Sequence, residues 1–259
     1  MDLPLPFVVR ESSHRIHNPL DDVKLATLGR ALRLRPGQTV LDLACGSGEM
    51  LCTWARDHGV GGLGVDLSTH FTRAAQARAA ELGVAGRVRF VHGQAAGYVA
   101  DEPVDLVCCV GASWIGGGVD GTLDLLERSL KPGGTVLLGE PYWHRVPTDP
   151  ATVAACHATS AEDFRTLPGL VGHLAALGWD LVEMVLADAD SWDRYRAAQW
   201  LNVREWLDAN PGHELYAELR AELDAAPLAY VTHERPHLGW GVFALRRRLG
   251  FSPIPSPSA

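Results

Sequence analysis

The stretch Val40-Leu-Asp-Leu-Ala-Cys-Gly-Ser-Gly-Glu49 decides the fold. A short apolar run, Thr39–Ala44, carries Asp42 and opens into a loop holding Gly46 and Gly48. A helical pattern, Glu49 to His58, follows and stops at Gly59. An apolar run of this length reads as a buried strand. The glycines permit a tight turn and close backbone approach. The helix that follows presents free N–H groups and the positive end of its dipole, a place for an anion.

Reading outward, the same unit repeats. Gly62–Asp66 is a second strand, followed by a helix capped at Ser68 or Thr69 that runs to about Leu82. Val88–Val91 and Val104–Val110 are further strands, and Val119–Leu130 is a helix closed by Lys131-Pro-Gly-Gly134. Thr135–Gly139 is a fifth strand, 161–177 a helix, Leu181–Leu186 a sixth strand and Trp240–Leu245 a seventh. Before the glycine loop, Asp21 or Asp22 caps a short helix; residues 1–20 show no clear period. Strands alternating with helices over short loops mean βαβ units. The expected fold is α/β, a Rossmann-like, seven-stranded, mostly parallel sheet with helices on both faces. The expected organisation is an N-terminal lid and helix over 1–35, a core over 36–190, a helical cap over 191–238, a last core strand over 239–249, and a disordered tail over 250–259.

Composition narrows the function. The chain has 259 residues, 47% hydrophobic and 21% charged, with a net charge of -8. That acidic balance argues against nucleic acid and against an anionic membrane surface as partners. The N-terminus lacks the basic and apolar regions of a signal peptide, and no apolar run is long enough to span a bilayer. The five cysteines include no C-x-x-C pair, so no metal site is expected. A cytoplasmic setting is the expectation; the oligomeric state is not legible.

Three ligand classes compete for the glycine loop. A nucleoside triphosphate needs Gly-Lys-[Ser/Thr], and Gly48-Glu-Met lacks it. A dinucleotide fingerprint needs a third glycine, which is missing, and Glu49 would repel a pyrophosphate. An acidic residue ahead of the glycines fits an amino-acid zwitterion better: Asp42 accepts from an ammonium group while the helix end takes a carboxylate.

Asp42-Leu-Ala-Cys-Gly-Ser-Gly48 resembles the first motif of class I S-adenosylmethionine-dependent methyltransferases. Four more features follow in register: Gly64-Val-Asp66-Leu-Ser, Val91-His-Gly-Gln-Ala-Ala96, Asp105-Leu-Val-Cys-Cys-Val110 and Leu130-Lys-Pro-Gly-Gly-Thr-Val-Leu137. The resemblance covers about residues 36–140. It implies S-adenosyl-L-methionine as cofactor, held by Asp42, Ala44, Cys45, Gly46, Ser47 and Gly48. Asp66 and Leu67 would meet the ribose, Gln94, Ala95 and Ala96 the adenine, and Val110 the wall between. Two departures stand out. Ala44 replaces a glycine, a small-for-small change expected to matter little. Gln94 replaces an aspartate and accepts without charge assistance.

The acceptor is expected to be a small molecule, methylated on O, N or C. Residues at the sheet's carboxyl edge are the candidates. Glu140 is the first candidate base and His144 the second, with His14 and His17 on a lid segment. Glu140 could equally bind a substrate cation or pair within the fold. Trp114, Tyr142, Trp143, Trp192 and Tyr195 are candidate substrate contacts. Trp192, Arg196, Trp200, Val203 and Leu207 form one helical stripe, which either packs on the core or lines an aromatic pocket. Two alternatives to an enzyme of this kind are a non-catalytic cofactor-binding protein and an NAD(P)-dependent oxidoreductase.

Overall fold

The computed structural model describes residues 3–248 and Gly250. The proposed tail beyond that point lies outside the described residues. Seven strands form one sheet: β1 Thr39–Leu43, β2 Gly61–Asp66, β3 Val88–His92, β4 Val104–Val110, β5 Leu130–Trp143, β6 Trp179–Leu186 and β7 Leu238–Arg247. Their order is β3-β2-β1-β4-β5-β7-β6. The first five run parallel, and β7 lies antiparallel to both β5 and β6. The Rossmann-like, mostly parallel sheet expected from the strand–helix alternation is the fold.

Helices cover both faces. On one lie α2 Asp22–Ala31, α3 Glu49–His58 and α4 Thr69–Glu81. They pack Leu25 and Leu28, Leu51 and Trp54, and Ala75 and Ala79 against Val40, Cys108 and Leu137. On the other lie α5 Val119–Glu127 and α7 Leu167–Ala176, with Leu123, Leu126, Leu170 and Leu174 on Leu41, Leu43, Val107 and Leu138. The alternation along each strand sorts these sets to opposite faces.

Several boundaries differ from the sequence reading for local reasons. A helix α1, Leu5–Arg10, forms in the stretch without a period. Its lone deeply buried residue is Val9, packed with Val203, Leu207 and Leu219 far along the chain. Pro150–Ala155 is a short helix α6, capped by Asp149. The helix expected over 161–177 starts only at Leu167, because Asp163 holds Thr159 and Ser160 in a turn and Thr166 supplies the cap. The stretch after β6 is two helices, α8 Ala189–Ala209 and α9 Tyr216–Ala229, broken around Pro211-Gly212. A π-helical turn, Tyr230–Glu234, extends α9. The Lys131–Gly134 turn sits inside β5 as an excursion: Val104 pairs with Leu130, and Leu106 pairs with Thr135.

The loop between β1 and α3 carries positive φ at every second residue: Ala44 at 59°, Gly46 at 54° and Gly48 at 69°. Only Ala44 has a Cβ to collide with its own backbone there. The exchange of glycine for alanine is therefore not neutral, contrary to expectation. Ala44→Gly should stabilise the protein by about 1 kcal/mol, the left-handed penalty less the extra chain entropy of glycine. Urea denaturation measures it; unchanged or lower stability would show that the loop relaxes around the alanine at no cost.

Candidate functional site

Parallel pairing of β1 with β2 brings two acidic strand ends side by side. Asp42 sits one residue before the end of β1, and Asp66 closes β2. Both are buried. Asp66 accepts one backbone hydrogen bond at each oxygen, Oδ2 from Gly46 N at 2.8 Å and Oδ1 from Ser68 N at 2.8 Å, and keeps acceptor capacity on both. It thus holds the glycine loop from beneath. Asp42 has no such support. Burial, and then the Asp66 charge, push its carboxyl up to about 8.

Above Asp42 the loop forms a cradle. Gly48 caps α3 in the left-handed conformation and no side chain caps that helix, so its first N–H groups stay available. A Cβ on Gly48 would fall 2.6 Å from the Phe90 ring, and one on Gly46 would fall 2.7 Å from His17 Cδ2. The crowding at Gly46 thus comes from the N-terminal segment. A cavity lies here, lined by Asp42, Ala44, Cys45, Gly46 and Val110 on the core side. Arg15, Ile16, His17 and Asn18 line it from the N-terminal strap. A buried carboxylate facing a cavity, beside an uncapped helix N-terminus, fits a ligand carrying both an ammonium and a carboxylate.

The strap is fastened by Glu11, a residue that sequence reasoning passed over. Its Oε2 meets His14 Nδ1 at 3.0 Å and His17 Nδ1 at 3.1 Å. Its Oε1 accepts from Tyr195 Oη at 3.0 Å and Gln199 Nε2 at 2.6 Å. Burial alone would raise this carboxyl, but the His14 and His17 hydrogen bonds and charges outweigh it and hold it at about 2. An ionised carboxylate only accepts, so both histidines donate from Nδ1. In its neutral form His17 then accepts at Nε2 from Ser47 Oγ, 2.8 Å away. One carboxylate so links the strap, the glycine loop and α8. No single signal marks Glu11 in the sequence: His14 and His17 are near it, but Tyr195 and Gln199 are 184 and 188 residues away.

Glu49 also has a structural explanation. Arg78 of α4 grips it with two hydrogen bonds of 2.7 Å, joining α3 to α4. Its charge is thus neutralised, and the case against a dinucleotide rests on the missing glycine. That position is Leu51, wholly buried in the core.

The other candidates fall into separate places. Gln94 and Ala96 are exposed and Ala95 is buried in the turn after β3, where Gly93 N donates to Asp66 O. Leu67 O meets His92 Nε2 at 2.8 Å. Glu140 lies one residue beyond the Val110–Gly139 pair, buried, with Oε1 lacking any partner. Burial pushes its carboxyl up to about 7, and a hydrogen bond with Ser113 restrains the rise. Alternation places Glu140 with Leu138 and Tyr142, on the sheet face opposite Asp42. Trp114 is 68% exposed on the turn after β4. His144 is exposed and packs edge-on against Tyr142, the ring centroids 5.1 Å apart.

Two expected substrate contacts need correction. Tyr142 is buried in the α5–α7 core, and Trp143 is buried with Val153, Cys156 and Leu238. The Trp143 indole donates to Ala161 O at 2.8 Å. Both therefore act as packing residues. Trp192 and Tyr195, by contrast, line a cleft in the helical region, and His14 stacks on Tyr195. Among the described residues no cluster of three or more histidine, cysteine or acidic side chains could hold a metal, and no helix could cross a membrane.

Comparison with known proteins agrees with this geometry. A family model described as a methyltransferase domain matches residues 40–134. The crystal structure of an S-adenosylmethionine-dependent methyltransferase from Thiobacillus denitrificans, in complex with S-adenosyl-L-homocysteine, is 60% identical. It covers 96% of this chain and 100% of its own, with a TM-score of 0.94. A second, from Geobacter sulfurreducens and in the same complex, is 58% identical over 95% of this chain and 99% of its own, with a TM-score of 0.94. The uncharacterised protein YjhP of Escherichia coli K12 is 58% identical over 248 residues, 96% of this chain and 100% of its own. With a loop built around Asp42, Gly46 and Gly48, and with full-length relatives of this similarity, the chain belongs to the S-adenosylmethionine-dependent methyltransferases.

Proposed function

We propose that the protein transfers a methyl group from S-adenosylmethionine to a small-molecule acceptor. The observation that carries this is Asp42, a buried carboxyl that lines the loop cavity and is raised to about 8 by burial and the Asp66 charge. The bound cofactor supplies an electrophilic methyl on a sulfonium, whose neutral thioether leaves without needing an acid. Asp42 accepts from the cofactor's ammonium group, the α3 N-terminus takes its carboxylate, and Asp66 takes the ribose hydroxyls. The relatives in complex with S-adenosyl-L-homocysteine support this reading. The net charge of -8 supports a small molecule over a nucleic acid.

The protein's contribution to rate is chiefly alignment: the strap closes over the loop through His17 and Ser47 and excludes water. A base is needed only for an acceptor that starts protonated. Glu140 suits that role. Glu140 follows Gly139, which pairs with the cavity-lining Val110, and its buried Oε1 is unpartnered. Titrating near neutrality, it is ionised and active as a base above about 7. His14 is a further candidate beside His144, with Nδ1 committed to Glu11 and Nε2 buried without a partner.

Two outcomes test the reading. Asp66→Ala should weaken S-adenosylhomocysteine binding by one to two decades, roughly 1.5–3 kcal/mol, because hydrogen bonds to a carboxylate are lost and the Gly46 amide is freed. Calorimetry measures this alongside NADH, which should not bind; an unchanged affinity in the variant would sink the assignment. With a methyl acceptor in hand, Glu140→Gln should lower turnover by roughly 10²–10⁴ and leave cofactor affinity intact. The wild-type rate should rise with pH up to about 7 and then level, as the carboxylate ionises. Damage confined to KM, or an equal loss of cofactor binding, would remove Glu140 from the role of base.

A further inference from the structure

Buried polar atoms without partners gather at one helix. Among the described residues these side-chain atoms are His14 Nε2, Glu140 Oε1, Trp192 Nε1, Arg196 Nε and Trp200 Nε1. Three of them belong to α8 at positions i, i+4 and i+8, which share one face. All three are N–H donors, and none can turn into an acceptor. Native folds leave few such donors unmade, and a donor left so points to an unseen acceptor.

Trp192 and Arg196 line a cleft between α1, α6, α8 and α9. Leu238, at the start of β7, closes its floor, so the cleft stands over the carboxyl end of β5. Its far walls are made small and apolar by Ala154 and Ala155 of α6 and Ala225, Ala226 and Ala229 of α9. Phe7, Trp192 and Tyr195 add aromatic surface. Glu11 lines this cleft and also fastens His17, which lines the glycine-loop cavity. The two chambers therefore share a wall built on the strap.

Charge in the cleft is already balanced. Arg10 pairs with Glu222 at 2.9 Å and Arg196 with Glu234 at 2.7 Å. Glu11 is saturated by its four donors. Arg196 also donates from Nη1 to Gln199 Oε1 at 2.5 Å, so two of its three nitrogens are fixed and Nε is held in place unused. His157 also lines the cleft, and burial lowers its pKa and favours the neutral ring, so an anionic ligand would meet Glu11 and Glu234 with no spare cation to receive it. A cationic ligand would find no unengaged carboxylate. A carbonyl oxygen fits, since it carries two lone pairs, no hydrogen and no charge.

Building on the methyltransferase reading above, we propose that this cleft holds the methyl acceptor and that the acceptor presents an uncharged carbonyl oxygen to Trp192 Nε1 and Arg196 Nε. Its body is apolar and packs between the alanine walls and the aromatic face of α8.

The test uses the full chain saturated with S-adenosylhomocysteine and four probes of one shape: acetophenone, benzoate, benzylamine and toluene. Indole N–H resonances, assigned with Trp192→Phe and Trp200→Phe, report contact at each donor. Acetophenone should move the Trp192 resonance downfield and bind more tightly than the other three. Trp192→Phe keeps the ring and drops the donor. It should weaken acetophenone roughly threefold to tenfold, the range for one hydrogen bond, and leave toluene unchanged. Equal binding of toluene and acetophenone, tighter binding of benzoate or benzylamine, or no movement of the Trp192 resonance (a cleft filled with water only) would each overturn the proposal. Calorimetry of S-adenosylhomocysteine on the same samples keeps the two readings apart. Tight cofactor binding with no carbonyl preference fails this inference alone, whereas no cofactor binding fails the reading beneath it and this inference with it.

Discussion

Two parallel strands cannot end in adjacent carboxylates, out of water, without a means of carrying the charge. That constraint shapes everything around the glycine loop. Asp66 solves it locally, by drawing in the amides of Gly46 and Ser68. Asp42 is left with burial and a like charge beside it, and its carboxyl is pushed up to about 8. For an acid raised in this way, the folded state is favoured fully below the unfolded value of 3.8 and loses that contribution as pH rises through about 8. At neutral pH this burial carries an electrostatic cost that a bound ammonium group offsets.

The second organising group is Glu11, which resolves the same problem in the opposite way. Four donors surround it, and its carboxyl sits at about 2 in spite of burial. The consequence reaches three elements. The strap is held down, the His17 ring is fixed against Ser47 and against Phe71 at 4.2 Å, and α8 is tied across through Tyr195 and Gln199. The loop beneath is crowded on both sides, by His17 at Gly46 and by Phe90 at Gly48, so its backbone path has little freedom. The strap and the loop are therefore one structure.

The sequence made the sheet legible because short apolar runs alternate with helical stretches over short loops, and the loop legible because glycines recur beside Asp42. Where both sheet faces are covered, a strand's pattern gives no inside and outside. Tyr142 and Trp143 consequently looked equal to Glu140 as site residues, though both are packed in the core. Ala44 looked harmless because side-chain size says nothing about φ. Glu11 and the Glu49–Arg78 pair were illegible since their meaning lies in partners brought by the fold: Gln199 for one, and the neighbouring α4 for the other. The Trp192–Arg196–Trp200 stripe was visible as a period, but only the structure shows that its N–H groups are buried without acceptors.

The central claim, that Asp42 stands protonated and waiting for a cation, is tested most directly by counting protons. Binding of S-adenosylhomocysteine at pH 7, followed by calorimetry in buffers of different ionisation enthalpy, should release roughly one proton per ligand, because the ammonium group requires the ionised carboxylate. Affinity should rise by roughly tenfold per pH unit between pH 6 and 8 and then flatten, and Asp42→Asn should abolish both the release and the slope. Binding without proton release in the wild type, or a release that persists in Asp42→Asn, would contradict the account.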